Sequence, residues 1–341
     1  MKSSRKSFVV SCTAFFVVVP GFVSCITPCV AQTVQPASGN QANGATYVDD
    51  ALPKLQRTLP VLSTLKPDAS QEDLPYILNS VAEAIADVVP RLPNLVSREE
   101  VYRSENAARL DAPHQYASLA TPGVSGPMAM TTITPQSARG QEFRYLILCS
   151  RNEQGTTVEE SRTDAKGHPL SAATGASNPL GTGFAYQWLL FSAANQPEFR
   201  FRYLGEQEMD GRNTYVVAFA QIPERVKIPA VFRSRGKQEP YYYQGILWTD
   251  QETFNIVLLK TDLLAPLRSM KLFGLTTELH FRSVQIRDFD QSFWLPSQVH
   301  MDIAQDRTDI EELHEYADYR LFHSTAAILP APKEADEPPS P

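Results

Sequence analysis

Alternating apolar and polar side chains dominate the second half of the chain. Aromatic residues alternate with arginines over 199–203, and a second alternating segment follows Asp210-Gly211 over 215–219. Asp-Gly between two such segments is typical of a β-hairpin. The same period predicts strands over 95–103, 143–151, 157–162, 241–248, 254–262, 279–287 and 294–303, whereas 310–322 fits either a strand or a helix. About ten strands joined mostly by short turns predict a mainly β, antiparallel sheet.

Two segments depart from the strand period. Apolar residues recur at three- and four-residue steps over 73–89, which predicts an N-terminal helix ended by Pro90. Residues 183–195 predict a second helix, inserted between strands, with Phe184, Trp188 and Phe191 on one face. An aromatic face of this density must be covered, either by the sheet or by a bound apolar ligand. We take these three aromatic residues as the candidate ligand-binding residues.

The first 31 residues have the parts of a secretory signal. A basic start is followed by an apolar run over 8–19, and the segment ends on Cys29-Val30-Ala31. The run is shorter than the roughly 20 residues of a membrane-spanning helix. We expect cleavage after Ala31 and a periplasmic or secreted protein. Phe22-Val23-Ser24-Cys25 also resembles a lipoprotein box, and its use would leave the protein anchored through a lipid on Cys25.

Composition divides the remainder of the chain. Residues 32–65 are assigned to a flexible leader and 326–341, rich in Pro and acidic residues, to a disordered tail. Residues 66–325 form a single β-rich domain, interrupted by an insertion at 105–141 that is either a flap over a cavity or disordered. Of the four cysteines, Cys149 alone lies outside the signal, so no internal disulfide is expected, and we place it in the core.

The charge of the chain argues against nucleic acid as a partner. Loss of the three basic residues of the signal takes the net charge from −7 to about −10, which is opposite to the basic footprint of a nucleic-acid binder. One basic run stands out in a long connection between strands. We interpret it as either an exposed, solvated loop or a contact surface for anionic membrane or an acidic partner; it comprises Arg225, Lys227, Arg233, Arg235 and Lys237.

Catalytic patterns are not recognisable in this sequence. Gly123-Val124-Ser125-Gly126 is followed by Pro127 and so lacks the last glycine of a nucleophile elbow. The cluster of Glu311, Glu312, His314 and Glu315 lacks zinc-protease spacing and is interpreted as a solvated acidic face. We therefore predict no catalytic residue, no metal site and no cofactor.

Several short motifs occur together in an order that resembles the periplasmic lipoprotein carrier (lipoprotein-sorting) superfamily. They are Arg91-Leu92-Pro93-Asn94, Tyr203-Leu204-Gly205-Glu206, Asp210-Gly211-Arg212, Tyr215-Val216-Val217, Gly245-Ile246-Leu247-Trp248-Thr249-Asp250 and Phe293-Trp294-Leu295-Pro296. The resemblance implies an open half-barrel of antiparallel strands curled around an apolar cavity and closed by helices. It also implies a protein that carries acyl chains or other hydrophobic cargo and is not an enzyme.

From these patterns we predict an exported, non-catalytic protein that binds a hydrophobic or lipid-like ligand in the bacterial envelope. Two alternatives remain open. One is an envelope scaffold or interaction protein whose sheet is filled by its own side chains. The other is a hydrolase with dispersed catalytic residues, because sites assembled by folding leave little trace in sequence.

Overall fold

The computed structural model describes residues 16–18, 46–107, 140–152, 155–168, 170, 184, 187–234, 237–287 and 289–322. Most of the predicted insertion and all of the predicted tail lie outside these residues. The helices are α1 (Leu52–Thr58) and α2 (Leu74–Val88), with 3₁₀ turns at Pro60–Thr64, Val89–Arg91, Gln187–Phe191, Gln196–Glu198, Pro223–Arg225 and Arg268–Met270. The strands are β1 (Phe16–Val18), β2 (Lys66–Pro67), β3 (Leu95–Ala107), β4 (Gln141–Asn152), β5 (Gly155–Asp164), β6 (Phe199–Met209), β7 (Arg212–Gln221), β8 (Ala230–Ser234), β9 (Lys237–Tyr241), β10 (Tyr243–Asp250), β11 (Ile256–Leu263), β12 (Leu272–Gln285), β13 (Ser292–Gln305) and β14 (Thr308–Leu321).

Eleven of the described strands form one antiparallel sheet. Their order is β2-β6-β7-β10-β11-β12-β13-β14-β3-β4-β5, so the sheet is open, with β2 and β5 at its edges. The last strand, β14, settles the ambiguous segment 310–322 as β. On the side away from β13, β14 pairs with β3, and only β4 and β5 lie beyond β3 at that edge of the sheet. The mainly β class, the open antiparallel sheet and the covering helices are confirmed.

The inserted helix differs from the prediction. In place of an α-helix over 183–195, the described residues form a 3₁₀ helix at Gln187–Phe191. The backbone N–H groups of Gln187, Ser192 and Asn195 donate to the carbonyl oxygen three residues earlier, which is the 3₁₀ pattern and not the α-helical one.

Part of the basic run lies in a hairpin: Arg233 stands on β8 and Lys237 begins β9, whereas Arg225 and Lys227 precede β8 and are exposed. β8 and β9 pair antiparallel, and β1 lies parallel to β8 in the same three-stranded sheet. Apolar residues of this hairpin are buried in the main core, with Phe232 fully inaccessible. The hydroxyl of Ser234 accepts a hydrogen bond from the amide of Gln305 at 3.0 Å, which ties the hairpin to the end of β13.

The two faces of the large sheet have separate cores. On one face, α2 and the Gln187–Phe191 turn cover a core built from most of the strands. On the other, α1 and the turn after it cover β6, β7, β10 and β11. There Leu55 and Leu62 are fully buried beside Trp248. Residues 46–65 were assigned to a flexible leader, but the described part of this segment includes α1 and the Pro60–Thr64 turn, whose leucines pack on the sheet.

Glycines permit one tight turn and one close approach that shape the sheet. Asp210 and Gly211 both have positive φ, 51° and 75°, as the tight turn between β6 and β7 requires. At Gly205, with φ of 133°, a Cβ atom would lie 2.1 Å from the carbonyl oxygen of Lys66. Only glycine therefore lets β2 approach β6 at this bulge.

Within the described part of the chain, no helix has the length and apolar character needed to cross a membrane. Cys149 is of intermediate exposure and packs against the main core, and its thiol donates to the carbonyl oxygen of Pro93 at 3.7 Å. The side chain of Cys149 is thus less buried than the sequence analysis predicted.

Candidate functional site

An apolar gap separates α2 from the sheet beneath it. The cavity in this gap has a volume of about 30 Å³, which is about the volume of one water molecule. It is lined by Ala84, Ile85, Val88, Trp188, Phe254, Asn255, Ile256, Phe281 and Trp294. Apart from the side chain of Asn255, this lining offers apolar surface, so the gap suits a hydrocarbon group and not a polar one.

The three predicted aromatic residues do not share this gap. Trp188 lines it, with an exposed fraction of 8%. Phe191 is fully buried deeper in the core, where its ring lies 5.0 Å from that of Phe219 in an edge-on arrangement. Phe184 points elsewhere, with its ring 5.1 Å from the imidazole of His314. The structure therefore places one of the three at the cavity and packs the other two against the domain's own side chains.

A buried polar network occupies the same face of the sheet, toward β14, β3, β4 and β5. Arg162 donates from Nε and Nη2 to the carboxylate of Glu99, at 2.5 and 2.8 Å. Tyr316 donates its hydroxyl to the same carboxylate at 2.8 Å. The imidazole of His314 bridges Glu99 at 2.9 Å and Glu312 at 3.1 Å, and none of these three side chains is exposed.

The sequence interpretation of the Glu311–Glu315 segment was wrong in this respect. Because side chains alternate between faces along a strand, β14 turns Glu312 and His314 inward while Glu311 and Glu315 stay on the other face. The inward pair is buried and bridged to Glu99, and so it is not part of a solvated acidic face. The alternation was visible in the sequence, but the partner on β3 lies 215 residues away from His314.

Electrostatics fix the protonation of this network. Burial raises the pKa of Glu99, but the charge of Arg162 and the hydrogen bond from His314 outweigh it and bring the pKa to about 2. Burial lowers the pKa of His314, but its hydrogen bonds to Glu312 and Glu99 and their charges outweigh burial, so the pKa is raised above 6.5. A histidinium whose two N–H groups both donate to carboxylates has no lone pair for a proton or a metal. This arrangement therefore stabilises structure and does not act as a general base.

A second polar group lies on the opposite face of the sheet, at the border of the α1 core. Lys260 contacts Glu278 at 3.3 Å, and His280 contacts the same carboxylate at 3.0 Å. Burial raises the pKa of Glu278, but the hydrogen bond from His280 and the charge of Lys260 outweigh it, and the pKa falls to about 2. Asp302, nearby on β13, behaves in the opposite way: burial and the charge of Glu311 raise its pKa to about 6.

The predicted basic residues are spread along the β8–β9 region. Arg225 is exposed, Lys227 lies 3.4 Å from the carboxylate of Glu198, and Arg233 donates to the amide oxygen of Gln238 at 3.2 Å. Lys237 lines a polar cavity at the end of the large sheet. Arg235 lies outside the described residues. Among the residues that the structure describes, no group of three or more His, Cys, Asp or Glu side chains is arranged to hold a metal ion.

Comparison with known proteins gives similarity in structure only. No protein-family model matches the chain, and no curated protein matches it. A DUF1329 family protein from Desulfovibrio piger is similar in structure with a TM-score of 0.32 and 11% identity, over 74% of this chain and 94% of that one. A putative outer membrane lipoprotein-sorting protein domain from Vibrio parahaemolyticus has a TM-score of 0.32 and 14% identity, over 71% of this chain and 92% of that one.

Proposed function

We propose that this chain is an exported, non-catalytic protein of the bacterial envelope that binds a hydrophobic or lipid-like ligand between α2 and the sheet. The observation that carries the proposal is the apolar gap itself. Trp188 and Trp294 border it together with aliphatic side chains of α2, so the gap offers hydrocarbon surface. The hydrophobic residues that cover the ligand are then those of the gap, with Phe184 and Phe191 acting as its packed support.

Ligand entry requires α2 to move. Small-molecule pockets in proteins usually enclose roughly 300–1,000 Å³, whereas this gap encloses about 30 Å³. Binding therefore displaces α2 from the sheet, and the ligand takes the place of Ile85 and Val88 against Phe281 and Trp294. Each methylene of an acyl chain contributes roughly 0.8 kcal/mol on burial, which offsets the exposure of the helix.

The helix supplies a matched pair of variants for the test. Ala84 lines the gap, whereas Ala86 is exposed on the other side of the same helix. We expect Ala84→Phe to fill the mouth of the gap and to weaken binding of a long-chain fatty acid at least fivefold. Ala86→Phe serves as the control and is expected to bind as the wild type does. Intrinsic tryptophan emission reports binding, because Trp188 and Trp294 both border the gap.

A second candidate function is favoured by the small volume of the gap. A sheet whose face is filled by its own side chains suits a scaffold that presents its outer surface to other envelope proteins. Mass spectrometry of lipids extracted from protein purified out of native envelope separates the two functions. Stoichiometric lipid supports the ligand-binding protein, whereas lipid-free protein that shows no saturable fatty-acid binding leaves the scaffold.

A further inference from the structure

A second, larger cavity lies at the opposite end of the long strands. Its volume is about 380 Å³, within the range of small-molecule sites. The apolar gap contacts β12 at Phe281, whereas this cavity contacts the chain just before β12, at Met270 and Lys271. At about 3.3 Å per residue, the two places are roughly 30 Å apart along the strand. The cavity is therefore a separate feature and not an extension of the gap under α2.

Positive charge predominates in the cavity wall. The lining residues are Arg103, Glu105, Ser234, Lys237, Ser269, Met270, Lys271, Gln305, Asp306, Arg307, Thr308 and Ile310. Four of them are cations and two are carboxylates. One carboxylate, Glu105, accepts from Arg103 at 2.6 Å, and the other, Asp306, lies 3.1 Å from the ammonium of Lys271. Two of the four cations in the wall therefore have no carboxylate partner among the lining residues.

The two remaining cations are Lys237 and Arg307. Both are exposed, and within the described part of the chain neither side chain makes an ion pair or a hydrogen bond. Lys237 comes from the start of β9 and Arg307 from the turn between β13 and β14, so two separate hairpins bring them to one cavity. The hydroxyls of Ser234 and Ser269 add polar groups to the same wall, and that of Ser269 donates to the carboxylate of Glu239.

The wall is held in place by contacts between these elements. The amide of Asp306 donates to the carbonyl oxygen of Lys271 at 2.8 Å, which fixes the β13–β14 turn against the segment before β12. The side-chain amide of Gln305 donates to Ser234 and to the carbonyl oxygen of Met270, at 3.0 and 3.2 Å. Arg103 has a side-chain exposure of 15%, and its Nη1 atom lies 3.5 Å from Oε1 of the buried Glu312.

We propose that this cavity is an anion-binding site for a phosphate-bearing ligand, with Lys237 and Arg307 as its principal charged contacts. Guanidinium groups match the oxygens of a phosphate in pairs, and a lysine adds a flexible point charge. The hydroxyl of Ser234 accepts from Gln305 and so keeps its own proton for a further hydrogen bond to the ligand. The phosphate comes either from a lipid headgroup at a membrane surface or from a soluble phosphorylated molecule. The site is independent of the hydrophobic ligand proposed above.

The test compares two charge-matched double variants of the full-length mature protein. K237A/R307A removes the two unpaired cations of the cavity, and R225A/K227A removes two exposed cations of the same basic region that do not line it. Calorimetric titration with inorganic phosphate at low salt is expected to show millimolar binding by the wild type. We expect K237A/R307A to weaken it at least tenfold and R225A/K227A to change it less than twofold. Thermal midpoints confirm that both variants are folded.

A flotation assay with phosphatidylglycerol or phosphatidylcholine vesicles identifies the source of the phosphate. A lipid headgroup is supported if the wild type floats with phosphatidylglycerol vesicles but not with phosphatidylcholine vesicles, and if K237A/R307A does not float with either. Phosphate binding without flotation supports a soluble ligand. Absence of both from the wild type overturns the proposal, as does an equal loss in the two double variants, which would indicate unspecific charge attraction. Ala84→Phe leaves these results unchanged, so failure here is distinguishable from failure of the hydrophobic site.

Discussion

The Nδ1 atom of His314 lies 2.9 Å from Oε1 of Glu99, and neither side chain has any exposed surface. The two residues stand on neighbouring interior strands of the open sheet, β14 and β3. With Arg162 on the other side of the carboxylate, Glu99 is a buried anion held between two cations. An ion of this kind is tolerated only while its partners are in place.

Acid is expected to destabilise the protein through Glu99. Its pKa is about 2 in the folded chain and about 4.3 in an unfolded one. Its contribution is therefore complete above pH 4.3 and is lost as the pH falls toward 2, which amounts to roughly 3 kcal/mol. Glu99→Gln is expected to lower the free energy of unfolding by about 3–5 kcal/mol at pH 7, because Arg162 loses its counter-charge. Urea unfolding at pH 7 and pH 3 measures both effects.

The matched control for that variant is Glu159→Gln, at an exposed position on β5. We expect it to change stability by less than about 0.5 kcal/mol at either pH. If Glu99→Gln retained the full acid sensitivity of the wild type, the assignment of a low pKa to Glu99 would be wrong.

Asp302 is expected to act in the opposite direction. Its pKa is about 6 in the folded chain and about 3.9 when unfolded, so the folded protein binds a proton that the unfolded chain has lost. Stability associated with this group is full below pH 3.9 and declines as the pH rises through 6. Asp302→Asn is expected to stabilise the protein by up to about 3 kcal/mol at pH 7.5 and to have little effect at pH 4. Thermal or urea unfolding at the two pH values tests this. The same change at exposed Asp290 is the control; a destabilising effect of Asp302→Asn at pH 7.5 would contradict the prediction.

The Asp210-Gly211 turn is expected to tolerate only residues that accept a positive φ. Gly211 has a φ of 75° and open space around the position of a Cβ atom, so backbone strain decides the outcome and not a clash. Gly211→Val is expected to destabilise by more than about 1 kcal/mol. Gly211→Asn should cost less, because asparagine enters the left-handed region more readily. Equal stability of the two variants in urea unfolding would refute the strain argument.

The mature N-terminus is predicted to be Gln32, from the Cys29-Val30-Ala31 end of the signal. Intact-mass analysis of protein from the envelope measures it directly. A diacylated species beginning at Cys25 would instead show a lipid-anchored protein. Cys25→Ala is the useful control, because it abolishes lipidation and leaves cleavage after Ala31 available.

Sequence patterns predicted the strands well where period and turn agree. The β6–β7 hairpin is the best example, because alternation and Asp210-Gly211 specify the same structure. The β8–β9 hairpin was missed because its charges were given more weight than the alternating, buried Ala230 and Phe232. The ordered segment at 46–65 was missed because its leucines follow a polar leader, although their helical spacing is visible in the sequence.

Contacts between residues that are distant in the sequence could not be predicted from the hydrophobic pattern. The inward orientation of Glu312 and His314 follows from the strand period, but the pairing with Glu99 and Arg162 depends on the placement of β14 beside β3. Likewise, Lys237 and Arg307 are 70 positions apart in the sequence, and only the folding of two hairpins brings them to one cavity. The three aromatic residues were predicted to share a helical face, but Phe184 lies before the 3₁₀ turn that holds Trp188 and Phe191, and the three rings contact different parts of the core.

The pairing of β3 with β14 also governs when the protein can fold. Glu99 and His314 are 215 residues apart, and closing so long a loop is slow because its entropic cost comes before any stabilising interaction forms. Until the last strand is available, the edge of β3 has no neighbour and Glu99 lacks one of its two cations. We therefore expect the eleven-stranded sheet to be completed only after synthesis of β14. If the predicted export signal is used, we expect slow completion of the sheet to favour translocation of the still unfolded polypeptide.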